Sequence, residues 1–222
     1  MSPLCAHVLF DLDGVLVDTV DAHYFAWSRV AGELGVSFTR EDNDALRGVR
    51  RDIALTQYLA TNRSLEPEEK DRLLKLKATA YKEIIHKSGT AIRVPGVDHL
   101  LEGLRAEQIK IAVASASRHA HELLRLAELE QWVDIVSGGD QNVAPKPSPD
   151  QLLSISRELR ADPSTCLVVE DAAVGIEAAR RAEMRALAVG PNLKDEPLSV
   201  PWISSLRNVD VREFWQAASE KP

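Results

Sequence analysis

One strand-like run stands far from any other strand in this chain, and that separation narrows the possible folds more than any other feature. The run AHVLFDL at 6–12 is short, apolar and ends abruptly in Asp11-Leu12-Asp13-Gly14, a turn signal. From there to residue 88 the pattern is helical. Val20, Tyr24, Trp27, Ala31 and Leu34 fall on one helical face, and Leu73, Leu76 and Ala80 form a second stripe. Between them TNRSLEPEEKDR reads as a helix-to-helix connection, with a charged helix start at Pro67.

After Pro95-Gly96 helix and strand alternate. Val97, Leu100, Leu101 and Leu104 are spaced as a helix, and IKIAVAS at 109–115 reads as a strand. A helix near 119–129, a strand near 134–137, a helix near 149–160, the strand TCLVVED, a helix at 173–182 and the strand RALAVG follow. Strands that are apolar throughout belong to a parallel sheet buried on both faces. The first strand has to join that sheet across the helical block. The expected fold is therefore α/β, a doubly wound parallel-sheet core over residues 1–17 and 89–222 with a helical cap inserted at 18–88.

Ligands of such sheets bind beyond the carboxyl ends of the strands, so the strand ends are where chemistry is expected. Asp11 and Asp13, two apart, are expected on one face about 7 Å apart. Like charges that close call for a cation or a proton between them. An EF-hand is excluded because Val15 stands where an oxygen ligand is needed. Ser115-Ala116-Ser117 offers hydroxyls and N–H groups at a helix start, Lys146 is held between Pro145 and Pro147, and Glu170-Asp171 closes another strand. Each has a bland reading: a polar turn, a helix cap, a surface lysine, a second cap. All four fall on one edge of one sheet, and together they supply a nucleophile, a seat for an oxygen-seeking cation and groups to hold a phosphate.

Composition excludes other classes. Against 34 acidic residues stand 27 Lys and Arg, a formal net charge of −7 that disfavours nucleic acid as a partner. With 45% hydrophobic and 27% charged residues the chain resembles an ordinary soluble globular protein. No apolar run approaches the ~18 residues of a membrane span, and MSPLCAHVLFDLDG lacks a basic leader. The expectation is a cytoplasmic protein with no membrane partner. Cys5 and Cys166 are expected to be buried hydrophobes in a reducing compartment.

The segments FDLDGVLVDT (10–19), ASAS (114–117), KPSPD (146–150) and VVEDAAVGIEAA (168–179) resemble, in order and spacing, the four motifs of the haloacid dehalogenase superfamily. Within it, DTVDAHYFAW, LRGVRR, LKATAY and REFWQ look most like the β-phosphoglucomutase group. The resemblance implies that Asp11 is a nucleophile that becomes an aspartyl phosphate, and that Asp13 is the general acid and base. It implies Mg²⁺ held by Asp11, the Asp13 carbonyl, Glu170 and Asp171. Ser115, the Ala116 N–H and Lys146 would hold the transferring phosphate. Thr19, His23 and Trp27, with Gly48 and Lys77, match cap positions around the sugar and the general acid. Arg51 matches the cap arginine on the non-transferring phosphate, with Ser117 and Arg118 on the core side. The implied reaction converts β-D-glucose 1-phosphate to glucose 6-phosphate through β-glucose 1,6-bisphosphate. Its ligands are small sugar phosphates and its expected state is a monomer.

Three departures from the narrower pattern bear on sugar and distal-phosphate recognition: Arg50 where Ser is common, Ala172 in place of a frequent Ser, and His119 in place of Asn. The charge-rich RGVRR also reads as a solvated face. A sugar-phosphate phosphatase shares the whole core constellation. A non-catalytic phospho-acceptor switch is a further alternative, but receiver domains lack the long insertion and need no acid-base group two residues beyond the acceptor.

Overall fold

A computed structural model of the chain describes residues 5–60, 64–139, 143–193 and 199–220. Residues 61–63, part of the expected helix-to-helix connection, lie outside the described segments. Six parallel strands, β1 (His7–Phe10), β2 (Lys110–Ala114), β3 (Ile135–Ser137), β4 (Cys166–Glu170), β5 (Arg185–Val189) and β6 (Trp202–Ile203), form one sheet in the order β3-β2-β1-β4-β5-β6. The first strand of the chain lies in the middle, where Phe10 pairs with Val113 on one side and Val169 on the other.

Period-two alternation explains why these strands read as continuous apolar runs. Val8 and Phe10 face a core that includes Leu100, Leu101 and Leu104 of α5 (Val97–Ala106), Leu123 and Leu124 of α6 (Ala120–Leu126), and Phe214 and Trp215 of α9 (Val211–Ser219). Leu9 faces the opposite core, built with Leu152 and Ile155 of α7 (Asp150–Leu159) and Ile176 and Ala179 of α8 (Ala173–Arg181). Each fully buried side chain of this kind stabilises the fold by ~1.5–3 kcal/mol, so the central strand has no water-facing side on which to carry charge.

The insert consists of α1 (Val20–Leu34), α2 (Arg40–Ala45), α3 (Arg51–Ile53) continuing into a π-helical segment at Ala54–Leu59, and α4 (Pro67–Ser88). It has its own small core of Trp27, Val30, Ala31, Leu46, Leu55 and Leu73. The buried face of α1 is rotated from the expected stripe. Ala22, Ala26 and Val30 join Trp27 and Ala31 in the interior, while Val20, Tyr24 and Leu34 are only half-buried. The chain enters and leaves the insert side by side, with the Asp18 N–H donating to Ile92 O at 2.6 Å and the Val94 N–H donating to Leu16 O at 3.0 Å.

The edge strand β6 and the helix α9 are elements beyond those read from the sequence. A two-residue strand shows no period. The α9 signals are an apolar stripe of Val211, Phe214, Trp215 and Ala218 at helical spacing and a reciprocal cap in which Asp210 accepts the Glu213 N–H and Glu213 accepts the Asp210 N–H. Among the described residues no helix is long and apolar enough to cross a membrane.

Candidate active site

In this strand order the chain turns to opposite sides of the sheet between β1 and β4, and the carboxyl ends of β1, β2 and β4 converge there. Asp11 leaves β1 with its N–H still donating to Val169 O at 2.8 Å, so its carboxylate starts from a rigid point. The turn beyond it depends on Gly14. Its φ of +87° suits glycine, and a Cβ there would stand 2.0 Å from Asp171 Oδ2.

Asp11, Glu170 and Asp171 form a buried acidic cluster whose candidate ligand oxygens all lie within 4.8 Å of one another. Lys146 sits among them, donating from Nζ to Asp11 Oδ1 and Glu170 Oε1, both at 2.6 Å, and to Ala114 O at 3.1 Å. Burial raises the pKa of all three acids against the pull of Lys146 on Asp11 and Glu170 and of Arg47 on Asp171. Burial alone would lower the Lys146 pKa, but Asp11 and Glu170 hold it above the ordinary lysine value. The donor set is all carboxylate oxygen, desolvated and short of positive charge, which fits a hard dication.

Glu170 has room there because residue 175 is glycine. A Cβ on Gly175 would lie 1.7 Å from Glu170 Oε1. Gly175→Ala is therefore expected to destabilise the protein by ~2 kcal/mol, because overpacking of up to ~3 kcal/mol outweighs the ~1 kcal/mol helix preference of alanine. Thermal unfolding of the two proteins checks this, and a raised melting temperature would contradict the close approach.

Asp13 belongs to a different network from Asp11, despite the expectation from strand geometry that the pair would share one cation or proton. The strand stops at Phe10, and the turn hands Asp13 to the insert. The Thr19 hydroxyl and the Tyr81 hydroxyl (3.3 Å) both donate to Asp13 Oδ1, and His23 Nε2 lies 3.5 Å from the same oxygen. Burial pushes the Asp13 pKa up, but His23, Thr19 and Lys77 outweigh it and hold the value at about 2. Lys77 Nζ is 3.2 Å from His23 Nδ1. An ammonium donating there leaves the imidazole proton on Nε2, facing Asp13. Lys77 is itself buried, 4.4 Å from the Tyr81 ring centroid and 5.4 Å from that of Trp27, and burial lowers its pKa to about 8.

Between the insert and the sheet edge lies an open cleft. Asp11, Asp13, Thr19, His23, Trp27, Gly48, Arg51, Lys77, Ser115, Ala116, Ser117 and Arg118 all line it. Lys146 and Glu170 do not line it but touch it through Asp11, and Asp171 lies beside Glu170. The serines do not cap α6, whose N-cap His119 makes no side-chain bond to the helix; instead Ser115 Oγ accepts the Ser117 N–H and Ser117 Oγ accepts the His119 N–H, two turns within the loop. Those bonds fix the loop whose groups face the cleft. Among the described residues, contacts that draw the insert onto the core include Arg47 to Asp171 at 2.7 Å, Tyr81 stacked on His119 at 5.7 Å, and Lys82 and His86 on Glu122 at 3.2 and 2.8 Å.

Arg47, Tyr81 and Glu122 are site residues that the sequence reading did not single out. Tyr81 carried a signal, a hydroxyl four residues after Lys77 on the buried face of α4. Arg47 was one charge among several in LRGVRR, and nothing in that run distinguishes it from Arg50, which pairs locally with Asp52.

A family model described as haloacid dehalogenase-like hydrolase matches residues 8–189. The β-phosphoglucomutase of Bacillus subtilis is 36% identical over 187 residues, covering 82% of each chain. A phosphorylated carbohydrates phosphatase of Thermotoga maritima is 34% identical over 180 residues, 79% of this chain and 80% of that one. Among solved structures, a β-phosphoglucomutase from Clostridium difficile superposes with a TM-score of 0.88 at 26% identity, covering 97% of both chains.

Proposed function

The chain belongs to the haloacid dehalogenase-like hydrolases, and from that premise we propose that it is a Mg²⁺-dependent β-phosphoglucomutase, converting β-D-glucose 1-phosphate to glucose 6-phosphate through β-glucose 1,6-bisphosphate. The observation that carries this reading is the hold of the insert on Asp13. Thr19, His23 and Tyr81, at the start of the insert or on its helices, all converge on the one carboxylate placed to move a proton. A closed insert therefore excludes water and orders the acid-base group in one movement, which favours a sugar hydroxyl over water as the acceptor.

Asp11, oriented by Lys146 at Oδ1, attacks phosphorus, so a carboxylate O–P bond forms as the P–O bond to the sugar breaks. Asp13 supplies the proton to the departing sugar oxygen, and in the return half-reaction takes a proton from the attacking hydroxyl. Its pKa of about 2 makes it a carboxylate, ready to act first as the base toward a phosphorylated Asp11. Ser115, the Ala116 N–H and Lys146 hold the transferring group, and Arg51 with Ser117 and Arg118 hold the other end. Asp11, the Asp13 carbonyl, Glu170 and Asp171 would hold Mg²⁺, which when bound shields Asp11 from the anionic phosphate.

Incubation with β-glucose 1-phosphate and a trace of the bisphosphate, followed by phosphorus NMR, tests the proposal. Glucose 6-phosphate is the expected product, and α-glucose 1-phosphate is expected to be inert. Release of inorganic phosphate without glucose 6-phosphate would replace the mutase by a sugar-phosphate phosphatase, a reading supported by the Thermotoga maritima relative.

Lys77 makes the pH dependence specific. Its ammonium is present below about 8 and lost above it, so the KM for the sugar phosphate is expected to rise as pH passes through 8. Lys77→Met is expected to show a high KM with no such inflection. An inflection that survives in the variant would assign it to another group.

A further inference from the structure

Arg47 carries a consequence for the metal, resting on the reading of the acidic cluster as a dication site. It follows the C-cap residue Leu46 of α2, and its neighbour Gly48 lies so close to the start of α8 that a Cβ would be 2.9 Å from Val174 and 3.2 Å from Ala172. The loop thus delivers the guanidinium to the cluster. Nη1 donates to Asp171 Oδ2 at 2.7 Å, while Nε and Nη2 reach Asp44 Oδ1 at 3.1 and 3.0 Å. Asp171 is almost fully buried, whereas Asp44 is exposed. The guanidinium is therefore shared between a cluster acid on the sheet and an acid on the insert.

We propose that Arg47 is a built-in counter-cation for Asp171 that competes with the dication, so that closure of the insert over an unloaded site and uptake of the metal oppose one another. An oxygen that accepts a charged N–H bond has less to offer a cation, and a second fixed positive charge a few ångströms away repels that cation where screening is weak. Linkage makes the effect reciprocal: a metal that weakens the Arg47–Asp171 bridge also weakens one of the contacts that draw the insert onto the sheet. Arg47 has other places to go, because it is already bonded to Asp44 and lines the substrate cleft. It is a positioning residue in this scheme and takes no part in bond-making.

The test is Mn²⁺ uptake by metal-stripped full-length protein, followed by loss of the free-ion EPR signal. Arg47→Met is expected to bind Mn²⁺ at least ~10-fold more tightly than the parent, the scale of removing one nearby charge at a weakly screened site. Arg47→Lys, which keeps the charge, is expected to stay close to the parent. Asp44→Asn, which leaves the guanidinium to Asp171 alone, is expected to weaken uptake and to have no effect in the Arg47→Met background. A merely structural role for Arg47 predicts the opposite sign, because loosening the loop would lower affinity. Unchanged or weaker binding by Arg47→Met overturns the proposal. If that variant does not fold, unchanged binding by Asp44→Asn overturns it. Failure of the parent to take up Mn²⁺ would remove the dication site along with it, whereas parent uptake with an unaffected Arg47→Met removes only the competition.

Discussion

Asp11→Asn is expected to lower turnover by at least ~10⁴-fold and to leave no acid-stable acyl-phosphate on the protein. The amide is nearly isosteric with the carboxylate but does not attack phosphorus. The fold is expected to survive, because Lys146 keeps Glu170 Oε1 at 2.6 Å and Ala114 O at 3.1 Å, and the backbone bond from residue 11 to Val169 is untouched. Mass spectrometry of the quenched reaction together with far-ultraviolet circular dichroism separates loss of the nucleophile from loss of structure. A folded variant retaining a hundredth of the parent rate would show that another group accepts the phosphate.

Lys146→Met has the largest expected effect on stability. It removes the ammonium that bonds both Asp11 and Glu170 in a site where the lysine side chain is 3% exposed and Glu170 is 1% exposed. Removing one partner of a buried ion pair costs ~3–5 kcal/mol, because the remaining charge stays desolvated. The sign with pH follows from the raised pKa values of these acids. A carboxyl whose folded pKa exceeds its unfolded value contributes stability below the unfolded pKa and loses it as pH rises through the folded pKa. The defect is therefore expected to be smaller at pH 5 than at pH 8, and MgCl₂ is expected to restore part of it. Urea unfolding at both pH values, with EDTA or with MgCl₂, provides the measurement. A defect of less than ~1 kcal/mol in EDTA at pH 8 would mean that the cluster is not held by this lysine.

The central strands could be read from the chain because burial on both faces removes polar positions, and Val8, Leu9 and Phe10 are indeed fully buried. The same logic pointed to the candidate site, since charged residues directly after such strands have no core role to fill. It did not reach β6, which is too short to have a period, or the true face of α1, where alanines at 22 and 26 carry burial with little hydrophobic signal.

The parallel sheet with a helical block between its first and second strands, and the four clusters along one edge, were settled by local rules of period, turn chemistry and chain order. Which carboxylate answers to which partner was not. Asp11 and Asp13 are two residues apart, yet one meets Lys146 from 135 residues away and the other meets Tyr81 from 68 residues away. Arg47 reaches Asp171 across a separation of 124 residues. Pairings of that kind depend on how the insert lies against the sheet, and the desolvation that raises the pKa of Asp11, Glu170 and Asp171 and lowers that of Lys77 exists only once those surfaces have closed on each other.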